Sequence, residues 1–188
     1  MINKERWGIA FFAILALLDE LIMLSFPVDF TYSRISFVPH LCFVGCMLML
    51  NDQKTINRIL YSCLCGLCYG MFFNGNFFEE MCLFTFFGYI LGLFNEKFEQ
   101  DNRYLFAATL IAVFLYDFFE FAIAYMMQNI TMSFMKWFIH VELFTLVIHV
   151  LIVLALIYII TIFVRYSQIR DLRYEKYEKI KMKNLKRK

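Results

Sequence analysis

Apolar residues run along this chain in long blocks with few interruptions, at 7–26, 35–50, 59–73, 77–94, 104–127 and 134–164. Short polar breaks separate them at 27–34, 51–58, 74–76, 95–103 and 128–133. A helix that crosses a bilayer takes about 20 mostly apolar residues, so the pattern predicts an all-α polytopic membrane protein with six transmembrane helices. The second and third blocks are short for a bilayer and the break at 74–76 is tight, so a re-entrant hairpin is the alternative there. The last block is long enough to tilt or to project from the bilayer. The division expected is a six-helix transmembrane domain over 1–164 and a tail over 165–188.

Composition narrows the class. Of 188 residues 62% are hydrophobic and 18% charged, with 24 Phe. A soluble domain averages about 45–50% apolar and about 25% charged, and one of this length would have nowhere to hide so much apolar surface. Disordered chains are poor in aromatics, and 7 Gly with 2 Pro exclude a collagen-like chain.

The charges then set an orientation. Putting both termini on one side gathers Lys4, Arg6, Lys54, Arg58, Lys97, Arg103 and the ten basic residues of the tail there, which is 16 of the 18. Only Arg34 and Lys136 remain opposite. Basic residues collect in the cytoplasm, so both termini are expected to be cytoplasmic, with an inner balance of +8 and an outer balance of −6. The first block is not read as a cleavable signal, because Asp19 and Glu20 interrupt it and no small-x-small cleavage site follows. The tail alternates sign and then turns basic from Lys179 onward, with apolar residues near helical spacing. It reads as a continuation of span six that ends on anionic lipid, or alternatively as a cytoplasmic partner site. Nothing in the chain resembles nucleic-acid readout.

Two features stand out within the spans. Gly66-x-x-x-Gly70 and Gly88-x-x-x-Gly92 fall on consecutive blocks joined by the tightest break. Small residues at this spacing let membrane helices approach closely, either within the chain or against a partner's helix. The second feature is a set of ionisable residues at span depth: Asp19 and Glu20 in span one, Asp117 and Glu120 on one face of span five, and Glu142, Thr145 and His149 along one stripe of span six. Such groups are costly in lipid and face protein or water. The preferred reading is a buried polar network joining spans one, five and six; an outward-open polar cavity is the alternative.

Three kinds of chemistry are weighed and set aside. Cys63-x-Cys65-x-x-Cys68, with His40 as a fourth ligand, has metal-like spacing, yet all six Cys lie in or beside apolar spans, where Cys packs as a small hydrophobe. Glu79-Glu80 suggests an intramembrane protease, but no Arg follows on the next turn, and their place near a span end favours a solvated pair. No phosphate loop, nucleophile elbow or His-Glu-x-x-His is present. No enzyme activity, cofactor or metal is expected.

The central hairpin, Gly66-Leu67-Cys68-Tyr69-Gly70-Met71 through Phe87-Gly88-Tyr89-Ile90, and the stretch Phe118-Phe119-Glu120-Phe121-Ala122-Ile123 resemble the bacterial rod shape-determining MreD family over roughly 38–165. Glu120 is the position carried over from that family's acidic fifth span. The resemblance implies a multi-pass protein of the bacterial cell membrane with an S-component-like helical bundle. It also implies a non-enzymatic scaffold of the cell-elongation machinery. The implied partners are MreC, the actin-like MreB, the glycosyltransferase RodA and a class B penicillin-binding transpeptidase. The runner-up is the substrate-binding S component of an energy-coupling-factor vitamin transporter. That family carries Ala-x-x-x-Ala on its first span, whereas Ala10, Ala13 and Ala16 are spaced by three here.

Overall fold

A computed structural model describes residues 2–27, 35–51, 53–74, 76–93, 102–128 and 132–185. Arg34, Lys97, Asp29, Glu96, Glu99 and Asp101 lie outside the described residues, as do the side chains of Lys4, Arg6 and most of the tail. The described chain is helical. In order it contains α1 (Ile2–Ser25), α2 (Leu41–Leu50), α3 (Thr55–Tyr69) with a π turn (Gly70–Asn74), α4 (Phe77–Leu93), α5 (Asn102–Met126), α6 (Phe134–Trp137), a second π turn (Phe138–Glu142) and α7 (Leu143–Leu185). The last three run on without a break, so the described residues make six helical rods.

Three rods are long and apolar enough to cross a membrane, at Gly8–Ser25, Asn102–Met126 and Phe134–Tyr166. The other three are shorter: α2 has 10 residues, α3 has 15 before its π turn, and α4 has 17. Residue Arg165 falls within α7, so no helix break separates residues 1–164 from the tail.

The expected span over 35–50 is not one helix. Residues 35–40 are non-helical, and α2 begins only at Leu41. Pro39 supplies the reason. It has no N–H to donate, and its ring pushes Val38 towards extended backbone. A helix of ten residues is only about 15 Å long and is marginal by itself in water. Its neighbours hold it: seven residues from Cys42 to Leu48 are buried. Phe43 packs edge-on against Phe84 and Phe87 of α4 and lies 4.5 Å, centroid to centroid, from Tyr116 of α5. This aromatic group is the centre of the main apolar core, which also takes in Leu15, Ala16, Val113 and Val153. A smaller cluster of Phe121, Trp137 and Val141 joins α5 to the rod containing α6, with Phe121 and Trp137 stacked at 4.7 Å.

Candidate functional site

The four glycines singled out by spacing all lie on the seam between α3 and α4. A Cβ on Gly66 would meet the Glu80 carbonyl, Phe84 and the Met81 Cα, and one on Gly70 would meet the Phe77 backbone. A Cβ on Gly88 would meet Ser62, and one on Gly92 the Arg58 guanidinium. The two helices therefore run as an antiparallel zip stepped by four residues. Arg58, Ser62, Gly66 and Gly70 climb α3 and its π turn, facing Gly92, Gly88, Phe84 and Glu80 of α4. Residues four apart share a helix face, so each Gly-x-x-x-Gly is half of a four-rung stripe. All four glycines are taken up by contacts inside the chain. Gly45, on α2, is also close-packed, against the Leu15 side chain, whereas Gly8 faces open space.

The polar residues gather around the break at 35–40. An N-terminal helix end leaves N–H groups without partners, and His40 at the α2 N-cap makes no side-chain cap. Asp19 of α1 takes that role: Oδ1 accepts from Leu41 N–H at 2.9 Å and Oδ2 from Cys42 N–H at 2.7 Å. At the opposite end, Arg58 Nη1 donates to the Asn51 carbonyl at 3.1 Å. An acid thus sits at the positive pole of α2 and a base at its negative pole, the arrangement the helix dipole favours.

Residues 36 and 38 have no helical partners and find them on the last rod. Ser36 N–H donates to the His140 carbonyl at 2.9 Å, and Val38 N–H to Thr145 Oγ1 at 3.3 Å. The π turn at Phe138–Glu142 interrupts the ordinary i to i+4 ladder, and His140 within it supplies a carbonyl to a segment outside the helix. Non-helical backbone at membrane depth survives only where protein covers it. Here α5 and the last rod hold the segment, with Ser36 and His40 buried.

Below this strap lie the remaining buried groups. His40 Nε2–H donates to Asp117 Oδ1 at 2.6 Å. Tyr116 OH donates to Glu80 Oε2, joining α5 to α4. His149 Nδ1–H donates to the Thr145 carbonyl at 2.8 Å, and the His149 ring lies 5.5 Å from that of His40. Glu142 and His149 are fully buried. Asp117 Oδ2 and both Glu142 oxygens are within electrostatic reach of one another, but none is in hydrogen-bond geometry. Glu120 is half-buried beside Tyr116, and Glu20 is half-buried on α1. Among the described residues, no group of three or more His, Cys, Asp or Glu is placed to hold a metal ion.

Two findings depart from the sequence reading. Glu80, expected to be solvated near a span end, is fully buried and bonded to Tyr116. The polar groups also link more elements than one, five and six, because α2, its preceding strap and α4 take part. Glu80 was findable: it lies four residues before Phe84 and eight before Gly88, on the buried stripe of α4.

These elements define a multi-span helical membrane protein whose buried polar side chains join one helix to another. The family model of the rod shape-determining protein MreD matches residues 3–167, and the chain belongs to that family. Members are non-enzymatic membrane components of the rod-shape and cell-elongation machinery. Comparison with curated proteins and with solved structures returns no match.

Proposed function

We propose that this protein is a six-span membrane scaffold of the elongation machinery, with both termini in the cytoplasm. It holds MreC, RodA and a class B penicillin-binding transpeptidase together and couples them to MreB filaments. The division into a transmembrane domain at 1–164 and a cytoplasmic tail at 165–188 belongs to the same reading. The supporting observation is the use made of buried polar groups. Asp19 caps α2, Arg58 closes its other end, Tyr116 reaches Glu80 and His40 reaches Asp117, and each contact joins separate elements. Gly66, Gly70, Gly88 and Gly92 are assigned to packing within the chain. Asp19, Glu20, Asp117, Glu120, Glu142 and His149 are assigned to the structural network.

Orientation is tested by labelling single cysteines from outside intact cells. Positions 31 and 131 should react and position 54 should not; the reverse overturns the topology. The scaffold role is tested by replacing the chromosomal copy with a tagged one and measuring co-purification of MreC and RodA. Recovery of neither, from rod-shaped cells, sinks the coupling.

A further inference from the structure

Helix continuity and charge placement both argue against the distal tail as a membrane anchor. Helix α7 runs unbroken from Leu143 to Leu185, and residues 143–188 contain no Gly or Pro. Sharp helix kinks need such residues or an interrupted ladder, so nothing in this stretch turns the helix into the membrane plane. A helix lying on lipid needs one apolar face. At 100° per residue, the charged positions of the sequence 170–178 are spread around the turn and do not gather on one half of it.

The charge distribution points the same way. Residues 165–178, nearest the membrane, carry four basic and three acidic side chains, whereas 179–188 carry six basic and no acidic ones. Lipid attraction would put the excess against the headgroups, because their field fades within a Debye length of about 8 Å. The last apolar block ends at Val164. At about 1.5 Å per residue, Lys179 lies about 20 Å and Leu185 about 30 Å beyond it. The positive charge is concentrated where the membrane no longer attracts it.

We propose that the basic end of the tail, residues 179–188 in the sequence, docks on an acidic protein surface held about 20–30 Å from the membrane. The intervening helix acts as a spacer, and its nearly balanced charges keep it off the headgroups. This inference rests on the proposed cytoplasmic location of the tail, and it replaces the expectation that the tail ends on lipid.

The test has two arms, both on the full chain. In nanodiscs with about a third anionic lipid, a fluorophore at residue 183 is probed with a headgroup-bound quencher. Quenching there should be at least fivefold weaker than at residue 168. Equal quenching at both positions overturns the proposal. In living rod-shaped cells, a photo-crosslinking residue replaces Lys183 and the adduct is sequenced. The expected adduct is an acid-rich protein segment, reduced at least tenfold by K179E/K181E and retained in R165Q/R170Q. An adduct on lipid or RNA, or none, overturns the proposal. An adduct on a protein segment that is not acid-rich also overturns it.

Discussion

The α3–α4 hairpin and the broken span at 35–50 solve the same problem in opposite ways. The hairpin joins its helices by absence: Gly66, Gly70 and Gly88 remove side chains so that backbones meet Phe77, Glu80, Met81 and Ser62 directly. The broken span is held by presence. Its exposed N–H groups are met by Asp19, Thr145 and the His140 carbonyl, and its short helix is closed by Arg58. The first arrangement tolerates nothing added, and the second nothing taken away. Arg58 belongs to both, since its guanidinium lies over Gly92 while it donates to Asn51.

The largest effect should come from adding bulk to the seam. Gly66→Leu and Gly70→Leu drive a side chain into backbone atoms that cannot rotate away. Overpacking of this kind costs about 1–3 kcal/mol and occasionally more. Folded yield and melting temperature in detergent should fall further for these two than for any change below. Gly45→Leu should be intermediate, because it meets the flexible end of Leu15, and Gly8→Leu should stay within about 0.5 kcal/mol of the parent. Equal tolerance of all four would remove the distinction between seam and surface.

Next comes removal at the break. Asp19→Leu leaves the Leu41 and Cys42 N–H groups without acceptors, at a cost of about 1–3 kcal/mol. Asp19→Asn keeps one acceptor oxygen and should lose less. Hydrogen exchange at residues 41 and 42 reads this directly, with faster exchange expected in the Leu variant. Unchanged exchange would show that the cap is dispensable.

The smallest effect is expected at the edge of the network. Glu120→Gln keeps shape and hydrogen bonding and should be nearly silent. Glu120→Leu should cost about 0.6 kcal/mol and no more than about 1.7, the range for polar contacts between membrane helices. Stability in a defined detergent ranks the pair, and a larger loss for Gln than for Leu would contradict the ranking.

These two regions also differ in how far the sequence revealed them. The seam is local in pattern, because residues four apart on one helix must share a face, and the glycine spacing located it without any partner. The broken span reads as continuous in the sequence because its apolar run hides Pro39. Hydropathy ignores backbone hydrogen bonding, yet that proline decides where α2 can begin. The contacts that complete it, from Asp19 to Cys42, His40 to Asp117 and Ser36 to His140, join distant parts of the chain. The periodicity of a single helix carries no information about such pairs. Asp117, Glu142 and His149 are legible as buried because charge in lipid is costly, and Glu80 is legible from its place on the α4 stripe. Their neighbours His40 and Tyr116 join them only once the helices are packed.

The central claim is that the buried polar centre holds the protein together and performs no chemistry or ligand binding of its own. The most direct measurement is cell shape after chromosomal replacement with the double variant Asp117→Asn, Glu142→Gln. Both changes remove charge and keep an acceptor oxygen, so His40 can still donate to residue 117. The account predicts rod-shaped cells, normal membrane levels of the variant and unchanged recovery of MreC. Round cells containing a variant that is fully folded and as stable as its parent would contradict it, because the carboxylate charge itself would then be what the machinery uses.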